Sequence, residues 1–160
     1  MEIAKGLIET LKNICLSFDE ANIEFCLIGG LAVGILAKPR ATEDIDLLVL
    51  IDEEKKRLIT QLLQEKFKVI KINDEMHFKS ATIWRIILQD TFTKDNGLIV
   101  LDLIFADNAI YKEAIASCIK LNIYGVSIPI ARPESLIEIK KMSNRPQDLI
   151  DIDALRESLD

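Results

Sequence analysis

The chain has 160 residues, 49% of them hydrophobic, and a net charge of −6. That length and apolar content suit one domain with a sizeable core and exclude intrinsic disorder. The acidic balance excludes a wide grip on nucleic acid, since such surfaces are basic, and leaves room for a local contact or one provided by a partner.

Cys15, Cys26 and Cys118 are scattered and lack CxxC spacing. They read as reduced core residues rather than zinc ligands or a disulfide frame. The N-terminus lacks a signal-peptide pattern, and the longest apolar run, 25–37, is broken by glycines and too short to span a bilayer. The expectation is a cytoplasmic protein with no membrane association.

In chain order, Ile3, Leu7, Ile8, Leu11, Ile14, Cys15 and Phe18 have helical spacing and predict a helix over 3–20. A turn at Asn22 leads into a strand over 24–28, and Gly29-Gly30 follow at once, before a helix over 31–37. Glycines at such a turn let a backbone approach closely, and helix N-termini favour phosphate oxygens. Lys38 and Arg40 add cations in the connector. The next strand carries Asp44 and Asp46 and continues Leu-Leu-Val-Leu. Residues two apart on a strand share a face, so both carboxylates project together. At about 4 Å they repel by roughly 4 kcal/mol at a dielectric near 20. A cation between them removes that cost, and Mg²⁺, a hard ion with oxygen ligands, suits. The plainer alternative is a solvated strand end. Glycine turn, basic connector and paired acids within one short unit suit a nucleoside triphosphate.

Asp52-Glu53-Glu54 begin a helix whose apolar face is Leu58, Ile59, Leu62 and Leu63. Residues 66–72 alternate as a strand, and 76–78 and 83–88 read as short strands. His77 is the only histidine and reads as a surface strand residue. Arg85, beside Trp84, reads as structural rather than substrate-facing. Asn96-Gly97 marks a turn, and the strand 98–105 is apolar except for Asp102. A charge there is expensive unless paired or coordinated. It is read as a third metal carboxylate, in preference to an acid neutralised by a core arginine. A helix over 108–119, a hairpin of 121–123 and 126–130 turning at Tyr124-Gly125, and a helix from Pro133 follow. In the tail, Asn144 reads as a cap and Pro146 as a first-turn residue. Asp151 and Asp153, two apart on a helix, point about 200° apart and cannot share an ion.

The residues Gly29, Gly30, Arg40, Thr42, Asp44 and Asp46, as G-G followed by R-x-T-x-D-x-D-L, resemble the nucleotidyltransferase superfamily that includes DNA polymerase beta. Lys140, Arg145 and Asp148, as K-x-x-x-x-R-x-x-D, resemble the tail of the abortive-infection toxin nucleotidyltransferases of the AbiEii/AbiGii type. The resemblance implies an α/β (α+β) fold, a small mixed twisted sheet flanked by helices. It implies one nucleotidyltransferase domain over 1–160, with C-terminal helices over 133–159 packed on or completing the site. Asp44, Asp46 and Asp102 would be catalytic and hold two Mg²⁺ ions, with Mn²⁺ as the alternative metal. Gly29, Gly30, Lys38, Arg40, Thr42, Lys140, Arg145 and Asp148 would bind the nucleotide, Asp148 either orienting Arg145 or deprotonating the acceptor. The implied reaction moves a nucleoside monophosphate from an NTP to a hydroxyl of tRNA, a protein or a small molecule, with an antitoxin as the implied partner. The apolar content permits a homodimer. The alternatives are a nucleotide- or partner-binding module of the same fold with weak or lost catalysis, and a metal-dependent phosphohydrolase.

Overall fold

In the computed structural model, which describes residues 5–38 and 42–159, helices and strands alternate through most of the chain. The order is α1 (Lys5–Glu20), β1 (Phe25–Ile28), α2 (Gly29–Leu36), β2 (Asp44–Val49), α3 (Glu53–Lys66), β3 (Lys68–Ile72) and β4 (Met76–His77). Then come β5 (Thr82–Gln89), β6 (Leu98–Phe105), α4 (Ala109–Ala116), β7 (Ile119–Ile123), β8 (Val126–Ile130), α5 (Pro133–Ser143) and α6 (Pro146–Leu159).

The strands form one mixed eight-stranded sheet in the order β3-β5-β6-β2-β1-β8-β7, with β4 paired to β5. The pairs β2–β6 and β1–β8 are parallel, and the others are antiparallel. The expected mixed α/β architecture is therefore present. The sheet puts β2 and β6, far apart in sequence, side by side at its centre.

Local chemistry sets the element ends. The α1 stripe Leu7, Ile8, Leu11, Ile14, Cys15 and Phe18 is buried, and the Phe18 and Phe25 rings meet edge to face at 5.3 Å. Asp52 caps α3, its side chain accepting from the Lys55 amide at 2.8 Å. Asn108 caps α4 by accepting from the Tyr111 amide at 2.9 Å. Tyr124 and Gly125 have φ of 47° and 86°, the paired positive angles that close a tight hairpin.

Several element ends shift by a residue or two from the sequence reading, and two shifts matter most. α2 starts at Gly29, not Leu31, so the glycines form its first turn. α4 ends at Ala116, and Ile119 already belongs to β7, where it pairs with Ile130. The apolar pattern of 115–119 fits helix and strand alike, and pairing with β8 decides it.

Candidate nucleotide and metal site

Four residues stand in one register row across four neighbouring strands. Ile28 on β1 lies opposite Asp46 on β2, Asp46 opposite Asp102 on β6, and Asp102 opposite Arg85 on β5. Residues paired across strands point to the same face, so Asp46, Asp102 and Arg85 project together. Asp44, two residues before Asp46, joins them. The opposite face of these strands is apolar, with Ile45, Leu47, Trp84, Ile86, Leu101 and Leu103 buried. The charged row is local: Leu48, Val100, Ile104, Ile83 and Ile87 share its face, so the acids and Arg85 form a polar patch on strands that are otherwise apolar.

Gly29 fits this row closely. Its φ is +76°, and a Cβ there would overlap the Asp46 carboxylate. The glycine turn and the acid are therefore one packed unit: the turn can pass beside the carboxylate only because it lacks a side chain. Gly30 is buried in the same turn.

Among the described residues neither Asp44 nor Asp46 makes a side-chain ion pair or hydrogen bond. Burial, then the charges of Asp102 and Asp44, pushes the Asp46 carboxyl up to about 7. Asp44 is raised by its burial first and by Asp102 next. Both shifts express burial first and repulsion between the acids second, offset in part by Arg85 and, at Asp46, by Lys140, and a bound divalent cation would favour the ionised forms. The donor set of these two acids fits such an ion.

Asp102 differs from its sequence expectation. Both of its oxygens accept from one guanidinium, Arg85 Nε to Oδ1 at 2.8 Å and Nη2 to Oδ2 at 2.9 Å. The Arg85 pKa is raised, first by this hydrogen bonding. An arginine neutralises the buried acid after all, because the β5–β6 register sets the two directly opposite. Among the described residues no group of three His, Cys, Asp or Glu side chains is placed to hold a metal ion. As it stands, the cluster is a carboxylate pair beside an ion pair, not a three-acid cage.

A second charged cluster joins α5 to α6. Lys140 Nζ lies 2.8 Å from Asp151 Oδ2 and 3.5 Å from Asp148 Oδ1, all three side chains being buried. Asp148 Oδ2 accepts from the Arg145 amide at 2.9 Å, Arg145 Nε at 3.1 Å and Ser143 Oγ at 2.8 Å. Burial raises the Asp148 carboxyl, but the hydrogen bonds from Arg145 and Ser143 and the Lys140 charge outweigh it and bring it down to about 2. A carboxyl held so low binds a proton weakly, which favours the orienting alternative over the deprotonating one. Asp148 is enclosed and holds Arg145 and Lys140 in place, the geometry that the orienting alternative expects. Lys140 and Arg145 also act on the first cluster: the Lys140 charge draws the Asp46 pKa down, and the Asp46 charge raises that of Arg145.

Of the other expected residues, Lys38 is exposed after α2. The Thr42 hydroxyl donates weakly to the Asp44 carbonyl at 3.5 Å. Arg40 lies outside the described residues. Sequence reasoning misses two participants, Arg85 and Asp151. Asp151 had a readable signal, since it lies three residues after Asp148 and so shares its helix face. Two shallow surface depressions, one along α3 and one between α3 and β4, include none of these acids.

No protein-family model matches the chain, and no curated protein matches it. Solved structures do. The chain is similar to an antigenic nucleotidyltransferase-like protein from Paracoccidioides brasiliensis, with a TM-score of 0.67 and 23% identity over 95% of this chain and 76% of that one. It is similar to a nucleotidyltransferase candidate from Thermotoga maritima, with a TM-score of 0.67 and 17% identity over 99% and 95% of the two chains. It is also similar to ANT(2")-Ia, solved in complex with adenylyl-2"-tobramycin, with a TM-score of 0.56 and 17% identity over 98% and 90%. The fold is thus that of nucleotidyltransferase-like proteins. Among the described residues no helix is long and apolar enough to cross a membrane.

Proposed function

We propose that this chain is a metal-dependent nucleotidyltransferase that moves a nucleoside monophosphate from an NTP to an acceptor hydroxyl. The observation that carries the reading is the unpaired Asp44–Asp46 carboxylate pair, fixed by β2 against the glycine turn that opens α2. A fold shared with a protein solved in complex with adenylyl-2"-tobramycin supports the reaction class.

Each residue has a role that follows from its position. Asp44 and Asp46 would hold the divalent ion, Mg²⁺ or Mn²⁺. When bound, that ion supplies charge neutralisation at the phosphates and acidifies the acceptor hydroxyl. The Gly29-Gly30 turn offers backbone amides at the start of α2, where phosphate oxygens are favoured. Arg145, whose side chain is 73% exposed, reaches outward from its Asp148 anchor to meet the β and γ phosphates. Buried Lys140 fixes that anchor and lowers the repulsion at Asp46. The acceptor oxygen gives its proton to solvent and joins the α-phosphorus, the bond from that phosphorus to the α,β-bridging oxygen breaks, and pyrophosphate leaves.

The finer likeness to abortive-infection toxins rests on Lys140, Arg145 and Asp148, which here form one cluster with Asp151. On that reading the chain works in the cytoplasm beside an antitoxin, with tRNA or a protein as acceptor. The net charge of −6 favours a compact acceptor contact over a broad RNA grip.

Incubating the chain with α-phosphate-labelled NTPs, Mg²⁺, and total cell RNA and protein tests the proposal. Label in one RNA or protein band, lost in Asp46→Asn, supports it. One observation favours a second reading, a nucleotide-binding module with weak catalysis: Arg85 already neutralises Asp102. Metal-dependent thermal stabilisation by one NTP, with no acceptor labelled, would select that reading.

A further inference from the structure

Resting on the nucleotidyl-transfer reading above, we propose that the acid cluster takes one divalent cation, on Asp44 and Asp46, and that the Arg85 guanidinium, anchored by Asp102, takes the place of a second cation and, beside Arg145, meets the nucleotide's phosphates directly.

The first argument is geometric. Arg85 uses Nε and Nη2 to grip both oxygens of Asp102, at 2.8 and 2.9 Å. A guanidinium has five N–H donors in a planar fork, so its outer edge stays open. The Asp102 side chain is 8% exposed, whereas that of Arg85 is 42% exposed. The guanidinium therefore extends past the buried acid toward solvent, on the face that Asp44 and Asp46 share. The register row holds it two strands from Asp46, roughly 10 Å between backbones, and a long side chain crosses part of that gap.

The second argument is charge. Asp44, Asp46 and Asp102 bring three negative charges, and Arg85 returns one positive. The remainder matches a single divalent ion. A second ion at Asp102 would require it to surrender two charge-assisted hydrogen bonds and would leave Arg85 facing two cations. Lys140 cannot take over the role of Arg85, because its ammonium is enclosed by Asp148 and Asp151 and its side chain is 8% exposed. Arginine suits the task, since its fork matches phosphate oxygens as well as carboxylate ones.

Mn²⁺ counting on the full chain tests this, by equilibrium dialysis and electron paramagnetic resonance, with a saturating α,β-methylene analogue of each of the four NTPs. The expected result is one Mn²⁺ per complex with the analogue that binds. Asp102→Asn keeps that single ion, because Asp102 does not ligate it. Arg85→Gln, which frees Asp102, binds two and needs at least tenfold more analogue for half-saturation. Arg85→Lys stays at one. Two Mn²⁺ on the unaltered chain, or loss of Mn²⁺ in Asp102→Asn, overturns the one-ion assignment and leaves the nucleotidyltransferase reading standing. An Arg85→Gln chain that binds one Mn²⁺ and the analogue unchanged reduces Arg85 to a structural role and also overturns it. Absence of both Mn²⁺ and analogue on the unaltered chain overturns the nucleotidyltransferase reading itself.

Discussion

Gly29 and Asp46 are packed so closely that a single methyl group on the glycine would occupy the space of the carboxylate. Gly29→Ala therefore meets two penalties, the overlap and a φ of +76° that a Cβ disfavours. The expected loss is about 1–3 kcal/mol of stability. Nucleotidyl transfer falls further than stability does, because Asp46 must move. Urea denaturation beside a transfer assay separates the two, and a Gly29→Ala variant that keeps full transfer would contradict the packing argument.

The acid pair predicts an opposition between stability and function. Asp44→Asn and Asp46→Asn each abolish transfer while the chain stays folded, since both replace repelling charges by neutral amides of similar shape. Circular dichroism and the labelled-NTP assay on purified variants check this. Full activity in either one removes the metal assignment.

The pH dependence follows from the same carboxyl. Asp46 titrates near 7 in the folded chain against 3.8 for the ordinary group. Between those values the folded chain retains a proton that the unfolded chain has lost. The stability contributed by this group is then greatest below about pH 4, falls as pH rises toward 7, and levels off above. The fall from this group is at most about 4 kcal/mol. Urea denaturation in chelator at pH 5 and pH 8 should show the decline. Asp46→Asn should flatten it, and excess Mg²⁺ should recover stability at pH 8 by binding the ionised form.

The α5–α6 cluster carries the opposite sign. The Asp148 carboxyl is held down to about 2, so its contribution is complete above its ordinary 3.8 and is lost as pH falls between those values. Removing the cation is harsher. Lys140→Met leaves Asp148 and Asp151 buried without their shared ammonium and should cost about 3–5 kcal/mol. A denaturation midpoint unchanged in that variant would show that the cluster contributes little.

Much of this arrangement is legible in the amino-acid sequence. The strands of 25–28, 44–49 and 98–105 stand out as apolar runs between turn signals, and an aspartate inside such a run must find a partner. What the linear chain withholds is which partner. Arg85 meets Asp102 because β5 pairs with β6 in a register that sets them opposite, and strand register is a property of the assembled sheet. Asp151 is a different case. Comparing it with Asp153 correctly rules out a shared ion, yet its true companion is Asp148, one helical turn earlier. The ends of α4 and β7 are hidden because short apolar segments satisfy both periodicities, and only the β8 neighbour chooses between them.

The charged partners of the β2 acids on other elements all lie later in the chain, Asp102 on the parallel neighbour β6 and Lys140, whose charge acts on Asp46, on α5. The acids of β2 leave the ribosome early, while Arg85, Lys140 and Arg145 emerge later. A nascent chain stalled between them holds the acidic strand without the cations that temper it. It should fold loosely there, and chelating or supplying divalent ions should change how soon it becomes protease-resistant.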